Sequence, residues 1–181
     1  MVFEFVIDAT DLVTQMQFSA SQNVRIKKQR ARGRLITPAI YFILGLLALF
    51  KSAFVFCLLF FAGALGWYFL YPLWDRRYYT RHYQTVVREN YQDGLNKIST
   101  IQLDSEFIIA KFENNESKIV IQEFSEINEI SSHIFVKFKS GGRLILPKQK
   151  IQNISLVKDE LIKIAANLNI QYNIDYAWMW K

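Results

Sequence analysis

The chain has 181 residues, 51% of them hydrophobic, with a formal net charge of +6 and one cysteine. The lone Cys57 excludes an intramolecular disulfide, in keeping with a reducing compartment. His82 and His133 have no partner at metal-ligand spacing, and no G-x-S-x-G, P-loop or G-x-G-x-x-G occurs, so the reading is of a non-enzyme without cofactor or metal.

Residues 2–8 alternate, with Phe3, Phe5 and Ile7 on one side and Glu4 and Asp8 on the other, which predicts a strand with one buried face. Asp8 or Thr10 can cap a following helix in which Leu12, Val13, Met16 and Ala20 recur at helical spacing. Nothing clearly stops that helix before a basic arm of Arg25, Lys27, Lys28, Arg30, Arg32 and Arg34, and Gly33 or Pro38 is expected to bend it. The segment 1–34 is thus a strand and a basic connector helix.

Residues 35–74 form an almost uncharged apolar block, broken near its middle by Lys51 and Ser52. Forty helical residues would be roughly 60 Å long, twice a hydrocarbon core, so the block is expected to cross a bilayer and return as spans 35–50 and 53–74. It begins too deep and runs too long for a cleaved signal peptide. Trp67, Tyr68, Tyr71 and Trp74 gather where a headgroup-level aromatic belt belongs. Gly45, Gly63 and Gly66 would permit close helix contacts, and Gly63 and Gly66, with Ala62 and Ala64, make a small-residue patch suited to packing on the first span or on a second copy of the chain.

The charge surplus sits beside this block. Residues 1–34 carry six Lys/Arg against three Asp/Glu, and residues 98–181 carry ten of each. The arm before the first span and Arg76, Arg77, Arg81 and Arg88 after the second outweigh Lys51 in the turn, which predicts both termini in the cytoplasm. No acidic residue occurs from Leu12 to Trp74, so the arm, with Arg76 and Arg77, is a candidate site for anionic lipid or an acidic partner. Nucleic acid is not expected, because the folded part is neutral.

Beyond Trp74 the helical pattern continues as a stalk over residues 75–97, with Tyr79, Tyr83, Val87 and Tyr91 in one stripe and Asp93-Gly94 as a stop. The blander reading of that stripe is packing on the N-terminal helix. From Ile98 the period changes to two. ISTIQLD, EFIIAKF, KIVIQEF, EINEI, HIFVKF and RLILP read as strands of an antiparallel meander, parted by Asp104-Ser105, Asn114-Asn115, Ser131-Ser132 and Gly141-Gly142. A helix with Val157, Leu161, Ile164, Ala165 and Leu168 on one face should cover the resulting curved sheet. The tail holds Trp178 and Trp180, aromatic surface that should dock on its own protein or meet lipid or a partner. The carboxylates of this region read as solvated faces.

The order of strand, two-helix hairpin, meander, G-rich turn and the motif ILPK at Ile145 to Lys148 before a helix resembles the bacterial YcxB-like family. The resemblance covers nearly the whole chain. It implies a two-pass inner-membrane protein whose region 98–181 is a pleckstrin-homology-like domain, and it carries over no catalytic residues. The fold class expected is therefore α+β, a transmembrane hairpin joined to a curved antiparallel sheet with a C-terminal helix. The function expected is a membrane-anchored interaction module whose partners are lipid headgroups or another protein, with a second copy of the chain as a further partner. Interfacial contacts would fall to Trp67, Tyr71, Trp74, Trp178 and Trp180. Two alternatives stand beside it, an immunity-type protein that neutralises a membrane-active toxin and an oligomeric channel or transport accessory subunit.

Overall fold

The computed structural model describes residues 1–104, 106–112 and 115–181. The elements run β1 (Val2–Val6), α1 (Ala9–Gln22), α2 (Val24–Phe50), α3 (Phe54–Asn90), β2 (Ile98–Leu103), β3 (Phe107–Phe112), β4 (Asn115–Val120), β5 (Phe124–Ile130), β6 (His133–Phe138), β7 (Arg143–Pro147), α4 (Ile154–Leu168) and β8 (Gln171–Asp175). Two compact units result: Met1–Gln15 with Val86–Met179, and Met16–Thr85 with Trp180–Lys181.

In the helical unit the break expected at Gly33 or Pro38 falls at Asn23 instead. The Asn23 side chain accepts from the backbone N–H groups of Arg25 and Ile26 at 2.9 and 3.4 Å, which starts α2 afresh. From there α2 runs unbroken through the basic arm and Pro38 to Phe50. It closes at a three-residue turn in which Ser52 takes a positive φ of 56° and Ala53 N–H reaches back 2.9 Å to the Ala48 carbonyl. Both α2 and α3 are long and apolar enough to cross a membrane. Their contact depends on absent side chains: a Cβ at Gly45 would collide with the Phe61 ring, and one at Gly63 would sit 3.4 Å from the Tyr41 ring. A Cβ at Gly66, read as part of the same patch, would meet nothing within 4 Å among the described residues.

The other unit holds two four-stranded sheets, ordered β1-β2-β3-β4 and β7-β6-β5-β8, where the periodicity suggested one curved sheet. The division arises at residues 121–123. KIVIQEF reads as one strand, but Ile121–Glu123 form a 3-10 turn, so β4 ends at Val120 and Phe124 opens β5 in the second sheet. All pairings are antiparallel except that of β8, which lies parallel to β5 with Ile127 opposite Tyr172. Nothing in the tail's composition marked that eighth strand, because only Tyr172 of it is even half-buried. At the β6–β7 turn Gly141 adopts φ +93°, as its place in a tight hairpin demands. The Asp104-Ser105 and Asn114-Asn115 turns lie partly outside the described residues, at Ser105 and Asn114.

One hydrophobic core joins both sheets to α4. Phe3 and Phe5 of β1 pack there with Ile101, Ile108, Phe124, Ile127, Ile134, Leu146, Val157 and Leu161. The strand that precedes the helical hairpin therefore belongs to the sheet that follows it, with Phe5 opposite Ser99. Truncating a buried ring forfeits its transfer free energy and leaves a cavity, so Phe5→Ala should destabilise the chain by about 3–5 kcal/mol. At Val2, 62% exposed on the same strand, Val2→Ala should shift stability by no more than about 0.5 kcal/mol. Denaturant unfolding of the full chain in detergent measures both, and equal effects would mean that β1 is not held by its buried face.

Candidate membrane-interface site

The basic arm lies on the first turns of α2 and divides into two sets. Arg25, Lys27, Lys28 and Arg32 are exposed, whereas Arg30 and Arg34 are half-buried. Arg30 sends Nε to the Asp75 carboxylate at 2.5 Å, and Asp75 is buried. A second guanidinium nitrogen donates to the backbone oxygen of Lys181. The same guanidinium lies 4.4 Å from the centre of the Trp180 ring and 5.5 Å from that of Tyr79. Trp180 is only 6% exposed, with Tyr79 and Tyr83 edge-on to it at 6.0 and 6.2 Å. One arginine thus neutralises a buried carboxylate and anchors the end of the chain described here.

Tyr79 and Tyr83, two members of the tyrosine stripe, are occupied by Trp180. Beside them α1 and α3 meet in this unit through Gln17 Nε2 donating to Thr80 at 3.1 Å. Trp178 is half-buried and Met179 exposed, so of the two tail tryptophans only Trp180 is enclosed.

Along α3 the aromatics form a ladder at the polar end of the apolar segment. Trp67 and Tyr71 rings are 5.7 Å apart, Tyr71 and Trp74 5.9 Å, and Trp74 stacks on Tyr78 at 5.3 Å. Trp67 donates its indole N–H to the Gly33 carbonyl at 3.3 Å, and Tyr71 occupies the space a Cβ at Gly33 would need. Gly45, read from the sequence as a close-approach glycine, is one, and Gly33 is another that sequence reading passed over, since a small residue facing an aromatic on another helix leaves no pattern in either helix alone. Arg34 lies over the Tyr68 ring at 4.2 Å. Arg76, Arg77 and Arg81 are exposed and share a shallow groove along α3 with Leu73, Thr80 and Gln84.

The sheet unit carries two buried polar networks that the sequence did not reveal. Glu129, only 1% exposed, is held by Lys148 at 2.7 Å, Lys158 at 3.0 Å, Tyr172 at 2.8 Å and Tyr176 at 3.0 Å. It is not on a solvated face. Lys148 is the lysine of the ILPK motif, and its place in that motif is the one signal that pointed here. Burial alone would raise the Glu129 carboxyl, but these four donors outweigh it and bring its pKa down to about 2. The same contact, together with burial, raises the Tyr172 phenol.

In the second network the buried His133 bonds Asp11 through Nε2 at 3.0 Å and Ser132 through Nδ1 at 2.7 Å. Lys150 bonds Asp11 and Asp8, each at 2.6 Å. Asp11 feels burial pushing its pKa up, yet donation from His133, Lys150 and the Asp8 backbone lowers it to about 2. Both oxygens of Asp11 are occupied, so the group serves as a tie between α1 and the second sheet. Among the described residues no group of three or more His, Cys, Asp or Glu is placed to hold a metal ion.

No model of a known protein family matches this sequence, and no curated protein does.

Both networks predict acid sensitivity. A carboxyl whose folded pKa is depressed adds stability that is fully present above its unfolded value and is lost as pH falls through the folded one. That window runs from 4.5 for Glu129 and from 3.8 for Asp11 down to about 2. A depression of the size seen at Glu129 corresponds to roughly 3 kcal/mol. Urea unfolding in detergent should show stability falling across this window in the parent and falling less in Glu129→Gln, whereas parallel curves would show that Glu129 titrates as in the unfolded chain. The Arg30–Asp75 pair makes a separate prediction. Arg30→Gln alone strands a buried carboxylate and should cost on the order of 3 kcal/mol, while Arg30→Gln with Asp75→Asn should recover much of it. Additive losses in the thermal shift of the detergent-solubilised chain would show the two groups to be uncoupled.

Proposed function

We propose that the chain is a non-enzymatic interaction module anchored in the bacterial inner membrane by α2 and α3, with both termini in the cytoplasm. The observation that carries this reading is the solvent these helices demand. Only 6% and 11% of their most apolar windows are buried, and Phe42, Ile43, Phe56, Leu58, Leu65 and Phe69 are all more than half exposed. The core helix of a water-soluble protein hides such residues; a membrane helix turns them to lipid.

The pairing of β1 with β2 supports the same number of crossings. Asn96 N–H donates to the Ile7 carbonyl at 2.9 Å, so the chain returns after α3 to where it departed before α1. An odd number of spans would leave the two strands on opposite faces of the bilayer. The charge asymmetry around the turn at Lys51 favours the cytoplasmic face for them. A pleckstrin-homology-like reading of the sheet unit is supported by its order: four antiparallel strands, three more, then a helix whose apolar face joins the core. Catalysis is not assigned, because the buried carboxylates found here have their lone pairs filled by structural donors. Lipid headgroups and a protein partner are the ligands this arrangement suits, through the exposed members of the basic arm.

The orientation is tested by cysteine labelling in a Cys57→Ala background. Ser52→Cys should react with an impermeant maleimide in intact cells and Ser140→Cys only after permeabilisation. The opposite pattern would place the sheet unit outside and end this reading.

A further inference from the structure

Between α2 and α3 runs an open apolar groove of about 600 Å³, lined by Pro38, Ala39, Phe42, Phe61, Ala64 and Leu65, among others. That lies in the range of small-molecule sites, and it contains almost no polar surface. The groove begins at Leu35 and Tyr68, directly beside Arg34. The Arg34 guanidinium covers the Tyr68 ring at 4.2 Å, and its Nε is buried with no hydrogen-bond partner among the described residues. A buried, charged donor without an acceptor is costly. Within the apolar run no acidic residue is available to it, and the nearest carboxylate in sequence beyond that run, Asp75, is already taken by Arg30.

The geometry points to a bound anionic phospholipid of the surrounding bilayer, with one acyl chain in the groove and its phosphate on Arg34. The two halves of the site demand complementary parts of one molecule: an apolar chain along Pro38 to Phe61, and an anion at the end where the groove meets the basic arm. A guanidinium is suited to the second task because it can present several donors to phosphate oxygens, and the Tyr68 ring orients its plane. The phosphate would accept from the guanidinium of Arg34, whose Nε has no acceptor among the described residues. A second copy of the chain is the rival occupant. It would supply apolar surface to the groove, but no anion for Arg34 is available from the same spans, which contain no carboxylate. This inference rests on the membrane-spanning reading, and the two can fail separately.

Native mass spectrometry of the full chain, released from vesicles of phosphatidylcholine and phosphatidylglycerol at three to one, provides the test. The parent should retain one phosphatidylglycerol per chain in preference to phosphatidylcholine. Arg34→Gln should lower that retention on the order of tenfold, as loss of a charge-assisted contact does, whereas Arg88→Gln, exposed near the end of α3 and outside the basic arm, should leave it unchanged. Ala39→Trp alters no charge and fills the groove, so it should displace the lipid even if Arg34→Gln is poorly produced, and Arg34→Lys should restore part of the binding. Alkaline carbonate extraction of each variant reports insertion independently. Extraction of the parent would overturn the membrane reading itself. An inserted parent that holds no lipid, or equal losses in Arg88→Gln and Arg34→Gln, would overturn the site alone. So would a dimer crosslinked through Ala39→Cys in a Cys57→Ala background, since a second copy would then occupy the groove.

Discussion

The pairing of β1 with β2 brings together residues separated by the whole helical hairpin. Val2 to Val6 lie opposite Gln102 to Ile98, and Asn96 closes onto Ile7, so everything from α1 through α3 is an excursion that begins and ends at one point in a sheet. Loop-closure entropy rises only slowly with loop length, and two stiff helices joined by a short turn lower it further by returning the chain of their own accord. Burial of Phe3, Phe5, Ile101 and Leu103 in the common core supplies the compensating gain. The helical hairpin and the sheet are therefore conditions for one another: without an antiparallel return the first strand could not reach its partner.

Charge is distributed in the same spirit of mutual satisfaction. Arg30 sits in the middle of a run of like charges, yet it is bound to Asp75, the Lys181 backbone and two aromatic rings. Four neighbours of the same type remain exposed. A Lys or Arg on this arm cannot be judged by its sequence surroundings, because its partner comes from α3 and from the tail. Buried Glu129 and Asp11 show the converse. Each is surrounded by enough donors to keep it ionised in the interior, where an unpaired carboxylate would take up a proton instead. Such networks contribute modestly to stability relative to an apolar replacement, but they are strongly specific, since removing one partner strands the others.

The two long helices meet through gaps rather than through a continuous ridge. Gly33, Gly45 and Gly63 receive Tyr71, Phe61 and Tyr41 in turn, which holds α2 against α3 over several turns while leaving a groove open on one flank. Close backbone approach of this kind is how helices associate where apolar side chains gain little by leaving their surroundings. The open flank and the aromatic ladder from Trp67 to Tyr78 then present two different surfaces, one apolar and one mixed, along the same pair of helices.

What the sequence alone determined was everything carried by local period and composition. The apolar run with Lys51 and Ser52 at its middle specified two long helices and the turn between them, and alternation from Ile98 onward specified strands. The face of α4 was legible because Val157, Leu161, Ile164 and Ala165 repeat at helical spacing. Only the tertiary structure decided what depends on partners distant in the chain. It placed the switch between sheets at Ile121–Glu123, where the apolar alternation passes through a turn without interruption, and it made Gln171–Asp175 a strand by lending it the free edge of β5. It buried Glu129 and His133, whose neighbours in sequence look like those of any solvated residue, and it left the space a Cβ at Gly66 would take open among the described residues while filling that at Gly33. The physical reason is common to all of these. A period reports which side of an element is apolar, whereas the worth of a charge, a turn or a missing side chain is set by the atom that arrives opposite it, and that atom is chosen only when the whole chain closes.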